Sequence, residues 1–142
     1  MVESFGGSLN LIIWLLATAG AGYYAYRCFF GKEGMIKQYG FGDQSAFVIN
    51  LVATFVGAGF IMGIVLLIAG PQGAWAFVTF SFVQSLLGAI SGYRMVNGPW
   101  AEVEGTKPTA EGWIAPLIFT ILYGYLLINM QDILYEISPV AS

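Results

Sequence analysis

Residues 44–93, QSAFVINLVATFVGAGFIMGIVLLIAGPQGAWAFVTFSFVQSLLGAISGY, run for 50 positions without one charged side chain. A hydrocarbon slab about 30 Å thick is crossed by about 20 helical residues rising 1.5 Å each, so this interval holds two crossings. Gly70-Pro71-Gln72-Gly73 divides it, because Gly and Pro break a helix and allow a tight reversal. Backbone groups in hydrocarbon must satisfy one another, and runs of this length suit helices rather than barrel strands.

Two further uncharged intervals flank this one: 23 residues between Glu3 and Arg27, and 20 between Glu111 and Asp132. Each holds one span. The sequence therefore predicts an all-α integral membrane protein, a four-transmembrane-helix bundle with helices near residues 8–30, 45–69, 74–96 and 112–138. Asp43 is placed to cap the second span, and Glu111 to face the positive end of the fourth. The first span is expected to be retained rather than cleaved as a signal peptide, since Glu3 and no Lys or Arg precedes it.

Composition agrees. Of the 142 residues, 58% are hydrophobic and 9% charged, against about a quarter charged in a soluble domain. The length suits a single membrane domain. Five basic residues form no patch for a phosphate backbone, so nucleic acid is not an expected partner. Cys28 is the only cysteine and there is no histidine, which excludes an intrachain disulfide, His-ligated metal or haem sites, and any imidazole-based triad. Cys28 is expected to be a small apolar filler. No cofactor is evident, although a bound lipid is compatible with such a chain.

The basic residues fall on one side: Arg27, Lys32 and Lys37 in or beside the 31–44 connection, Arg94 and Lys107 in or beside the 97–111 connection. The positive-inside rule places both connections in the cytoplasm and both termini on the non-cytoplasmic side, as in a bacterial inner membrane protein. Arg27, Lys32, Lys37 and Arg94 are candidates for lipid headgroup contact, the arginines with apolar stems snorkelling outward. Glu102 and Glu104 are the expected ion-pair partners. Met35, Ile36, Tyr39 and Phe41 give the 31–44 segment an apolar side suited to lying along the interface.

Small residues recur at helical spacing and permit close backbone approach. Ala53, Gly57, Gly59 and Gly63 line the second span; Ser81, Ser85, Gly88 and Gly92 line the third; Ala17, Ala21, Ala25 and Pro116, Thr120, Gly124 mark the first and fourth. These stripes serve either packing within one protomer or contact between protomers.

The candidate intramembrane polar residues are Asn50, Thr54, Gln84, Asn129 and Asp132. Gln84 lies near mid-span and is expected to turn into protein, bonding Thr54, Thr120 or a carbonyl, or else meeting a bound lipid, quinone or solute. Asn129 and Asp132 lie toward the outer end of the last span, where a solvated end is expected and a proton relay would require burial. In size, four-helix layout and tight second reversal the chain resembles small bacterial DoxX-like membrane proteins, a likeness of shape that transfers no site. The function expected is that of a non-catalytic structural or accessory subunit, in a homo-oligomer or with other membrane subunits. The alternatives are a small-solute transporter or channel subunit lined by Gln84, Asn50, Thr54 and Ser81, and a lipid or quinone protein using Gln84, Tyr123 or Tyr125.

Overall fold

A computed structural model describes residues 1–136. Within them the chain is all-helical: α1 (Ser8–Phe30), α2 (Lys32–Tyr39), α3 (Ala46–Ala69), α4 (Trp75–Val96), α5 (Glu111–Asn129) and α6 (Gln131–Leu134), with short 3-10 turns at Glu3–Phe5, Asp43–Ser45 and Pro99–Glu102. Four of these helices, α1, α3, α4 and α5, are long and apolar enough to cross a membrane. Their 19 to 24 residues span about 28–36 Å at 1.5 Å per residue.

Three details differ from the expected boundaries. The connection after α1 is itself mostly helical, forming α2. Asp43 opens a 3-10 turn, and neither it nor Ser45 makes a side-chain cap on α3. The last span stops at Asn129 rather than running to 138, whose final two residues lie outside the described chain. The chain leaves helical geometry at Met130 (φ −118°, ψ 23°), and the Asn129 amide donates 3.0 Å to the Tyr125 carbonyl. An asparagine that bonds its own backbone weakens the helix it ends.

Helix succession in space is α3–α1–α5–α4. α1 packs along α3, α5 packs along α4, and α1 meets α5 between them, while α3 and α4 make no extended approach to each other. The reversal joining α3 to α4 needs glycine at both ends, with Gly70 at φ 96° and Gly73 at φ 73°. It is clasped by the rest of the chain: Gly73 N–H donates to the Ile133 carbonyl at 3.2 Å. The Gln72 amide reaches the Ser4 carbonyl at 3.4 Å.

The core sits toward this end. Trp14, 2% exposed, stacks edge-on against the fully buried Phe5 with ring centroids 5.3 Å apart, and its indole N–H donates 3.1 Å to the Gly63 carbonyl. Val78, Leu126, Met130 and Leu134 complete the packing. Asn10 donates 2.8 Å to the Phe5 carbonyl and holds the N-terminal turn over the core. A smaller cluster of Cys28, Ile49 and Ala53, under Met35, Ile36 and Phe41, packs the other end, with Cys28 as a buried free thiol.

Small residues decide the helix contacts. On α4, a Cβ at Gly92 would strike the Gly112 carbonyl oxygen, and one at Gly88 would come 3.3 Å from Pro116. Pro116 has no N–H, so the Gly112 carbonyl lacks its normal helical donor. Only the hydrogen of a glycine fits at position 92 beside that oxygen. On α3, a Cβ at Gly63 would lie 2.7 Å from Thr18 Oγ1, whereas nothing lies within 4 Å of one at Gly59. Gly92→Ala is therefore expected to force α4 from α5 and destabilise the fold by about 1–3 kcal/mol. Gly59→Ala should be neutral or stabilise it by up to about 1 kcal/mol through helix propensity. Thermal melting of the purified protein in mild detergent checks the contrast; equal effects at the two sites would refute it.

Candidate functional site

Two polar features stand out in an otherwise apolar structure: a clamp at the charged end and an isolated amide on the flank of α4. The clamp forms where three segments converge. Arg27 in the last turn of α1 ion-pairs with Glu111 in the first turn of α5. From α2, Gln38 accepts from the Arg27 guanidinium at 2.6 Å and donates to Glu111 Oε2 at 2.6 Å. The Tyr24 hydroxyl donates to Glu111 Oε1 at 2.9 Å. The guanidinium carbon also lies 5.6 Å from the ring centroids of both Tyr23 and Tyr24.

Each charge suits its helix end, acid at the N-terminus of α5 and base at the C-terminus of α1. With donors from Arg27 and Tyr24 on Oε1 and from Gln38 on Oε2, both oxygens of the Glu111 carboxylate are hydrogen-bonded, and the arrangement fastens helices. α2 is also tied to the α4–α5 connection by Lys107 N–H, which donates 2.9 Å to the Tyr39 carbonyl. Burial, and next the Glu111 charge, push the Tyr39 phenol above its ordinary value, so it stays protonated.

The clamp corrects the expected partner of Arg27, which is Glu111 and neither Glu102 nor Glu104, both exposed in the α4–α5 connection. Sequence carried a signal for it. Arg27 ends one span and Glu111 begins another on the same side, so opposite charges lie at one depth. Gln38 left no such trace, because its role depends on the fold of α2 over α1, and neither did Tyr24, whose role depends on how α1 is rotated toward α5. Of the other basic candidates, Lys37 and Arg94 are exposed and Lys32 is half-buried.

Gln84 is placed otherwise than expected. It lies ten residues into the 22 of α4, on an exposed face, and makes no hydrogen bond among the described residues. The reason is rotational: α4 spends its small face, Ser81, Ser85, Gly88 and Gly92, on α5, which turns Gln84 off the contact. The Thr120 hydroxyl, one expected partner, donates to the Pro116 carbonyl at 2.9 Å and sits 3.2 Å from Ser85 Oγ. Thr54, the other, is exposed on α3 and donates 2.7 Å to the Leu51 carbonyl. An amide left in hydrocarbon costs about 4–8 kcal/mol relative to water.

The remaining candidates do not converge. Asn50 is half-buried on α3, and Asn129 and Asp132 are exposed near the opposite end, so among the described residues no buried carboxylate is available there for a relay. Ala53 is fully buried and Gly57 faces Phe29, so this part of the α3 stripe lies on α1. A recess of about 310 Å³ between α1 and α5 is lined by Leu16, Gly20, Tyr24, Ala115, Ile118, Phe119 and Leu122. A second, of about 420 Å³, lies between the N-terminal turn and the end of α3. Neither is lined by Asn50, Thr54, Ser81 or Gln84.

No family model, curated protein or solved structure matches the chain. The likeness of layout to DoxX-like proteins thus assigns no residue a role.

The clamp makes a quantitative expectation. In a double-mutant cycle of Arg27→Met and Glu111→Gln, each single change should destabilise, and the pair should couple by about 1–3 kcal/mol. Denaturant melts in detergent measure it. Additive effects would show that the two charges do not support each other.

Proposed function

We propose that this chain is a non-catalytic membrane subunit, a scaffold or accessory that works by helix packing in a homo-oligomer or a larger membrane complex. The observation that carries the proposal is Gln84, an unbonded amide near the middle of an apolar span and exposed on the protomer surface. Hydrocarbon offers it no partner, and the nearer helix end is about 14 Å away, beyond the reach of a glutamine side chain. Another protein chain supplies what lipid cannot.

The rest of the structure supports this reading. Among the described residues the one carboxylate held by other polar side chains, Glu111, takes three donors from two other helices and acts as a fastening. The recess between α1 and α5 is apolar along most of its length and is suited to a lipid chain, which favours bound membrane lipid as a secondary contact. The basic residues at the charged end support placing that end in the cytoplasm, and a bacterial inner membrane as the setting.

Two measurements test the proposal. Protein drawn from its native membrane directly into lipid nanodiscs should have a particle mass above one protomer, by native mass spectrometry. A particle holding a single protomer and no other chain would overturn the subunit reading. In intact cells, Lys32→Cys in a Cys28→Ser background should resist a membrane-impermeant maleimide until the membrane is opened. Labelling from outside would reverse the orientation.

A further inference from the structure

We infer that the partner of Gln84 is a second copy of this chain, joined through a parallel α4–α4 seam with the two Gln84 amides paired across it. The inference rests on the subunit reading above and names its partner.

Rotational position comes first. On α4, Phe80, Gln84, Leu87 and Ser91 follow one another at spacings of four, three and four, the repeat of a left-handed helix pair. All four are exposed. Val83 and Ile90, also exposed, flank the same stripe. The stripe lies about a third of a turn round the helix from the face packed on α5, so a second helix can dock without displacing the first.

Chemistry then selects the occupant. A glutamine amide carries two N–H donors and a carbonyl acceptor, so it is complementary to itself. Two copies inserted in the same orientation are related by a twofold axis along the membrane normal, which brings a residue of the central seam opposite its own counterpart. Each Gln84 can then donate to the other's carbonyl, satisfying both where neither lipid nor water can. No charged residue lies on α4 before Arg94 at its end, so nothing along the seam repels a second copy. A single polar residue at such a position also fixes register.

Disulfide trapping in native membranes tests the seam. In a Cys28→Ser background, Leu87→Cys should form a covalent dimer under mild oxidation, while Ile121→Cys on the exposed flank of α5 should not. Adding Gln84→Leu should weaken self-association, followed by energy transfer between labelled copies in liposomes, by about tenfold. Gln84→Asn should retain part of it. Thermal melts of the monomer should be unchanged by Gln84→Leu, because the amide makes no bond inside the protomer.

Trapping through Ile121→Cys but not Leu87→Cys would overturn the seam. Undiminished association of Gln84→Leu would overturn the amide's role. Native particles containing one copy beside a different protein would overturn the self-pairing while leaving the subunit reading intact. A lone protomer would end both.

Discussion

A polar group inside a bilayer has no water to fall back on. That constraint sets the helices, since each backbone amide in hydrocarbon must find its acceptor along its own segment. It also sorts the side chains into those whose needs are met within the protomer and those whose needs are not. Trp14 donates to the Gly63 carbonyl, Asn10 to Phe5, Thr120 to Pro116. Gln84, the mid-span amide of α4, is left exposed and without a bond among the described residues.

Because burying apolar surface gives helices little reason to associate in lipid, the fold depends on how closely backbones approach. The α4–α5 pair shows this well. Pro116 deprives the Gly112 carbonyl of its helical donor, and Gly92 on the facing helix has no side chain to keep the two apart. The α1–α3 pair uses the same device with Gly63 against Thr18 and Gly57 against Phe29. The two pairs meet through α1 and α5, where the Arg27–Glu111 clamp draws α2 over the junction. Packing thus consumes most of the small residues, so those stripes are poor indicators of an external interface.

The spans were legible from charge-free intervals, because the cost of burying a charge in hydrocarbon is large enough to mark each boundary in the sequence. The Gly70–Gly73 reversal was legible for a similar reason, since positive φ is cheap only for glycine. Helix rotation was not. Gln84 and Ser85 are neighbours in sequence, yet one faces outward and the other lies 3.2 Å from Thr120. A turn of 100° between successive residues decides which is which, and only the contact with α5 sets its zero. The break at Met130 was likewise hidden, because Asn129, Gln131 and Asp132 read equally well as the polar end of a continuing helix. Gln38 escaped because its role exists only once α2 is folded, while Arg27 and Glu111 share a depth that charge alone reveals.

The rotation of α4 also separates two kinds of interface. A stripe of small residues gains by dispersion and is indifferent to what lies opposite, provided the backbones come close. A mid-membrane amide is not indifferent, because it requires a donor and an acceptor at one depth. On α4 these two faces sit side by side, Ser81, Ser85, Gly88 and Gly92 toward α5 and Gln84 beside them. The small face fixes the helix within its protomer, and in doing so it aims the amide outward. Had α4 been rotated to bury Gln84, Gly92 would lose its place against the Gly112 carbonyl, whose own helical donor Pro116 has removed. The exposed glutamine is thus a consequence of this close α4–α5 contact, and meeting its hydrogen-bonding need falls to whatever covers α4.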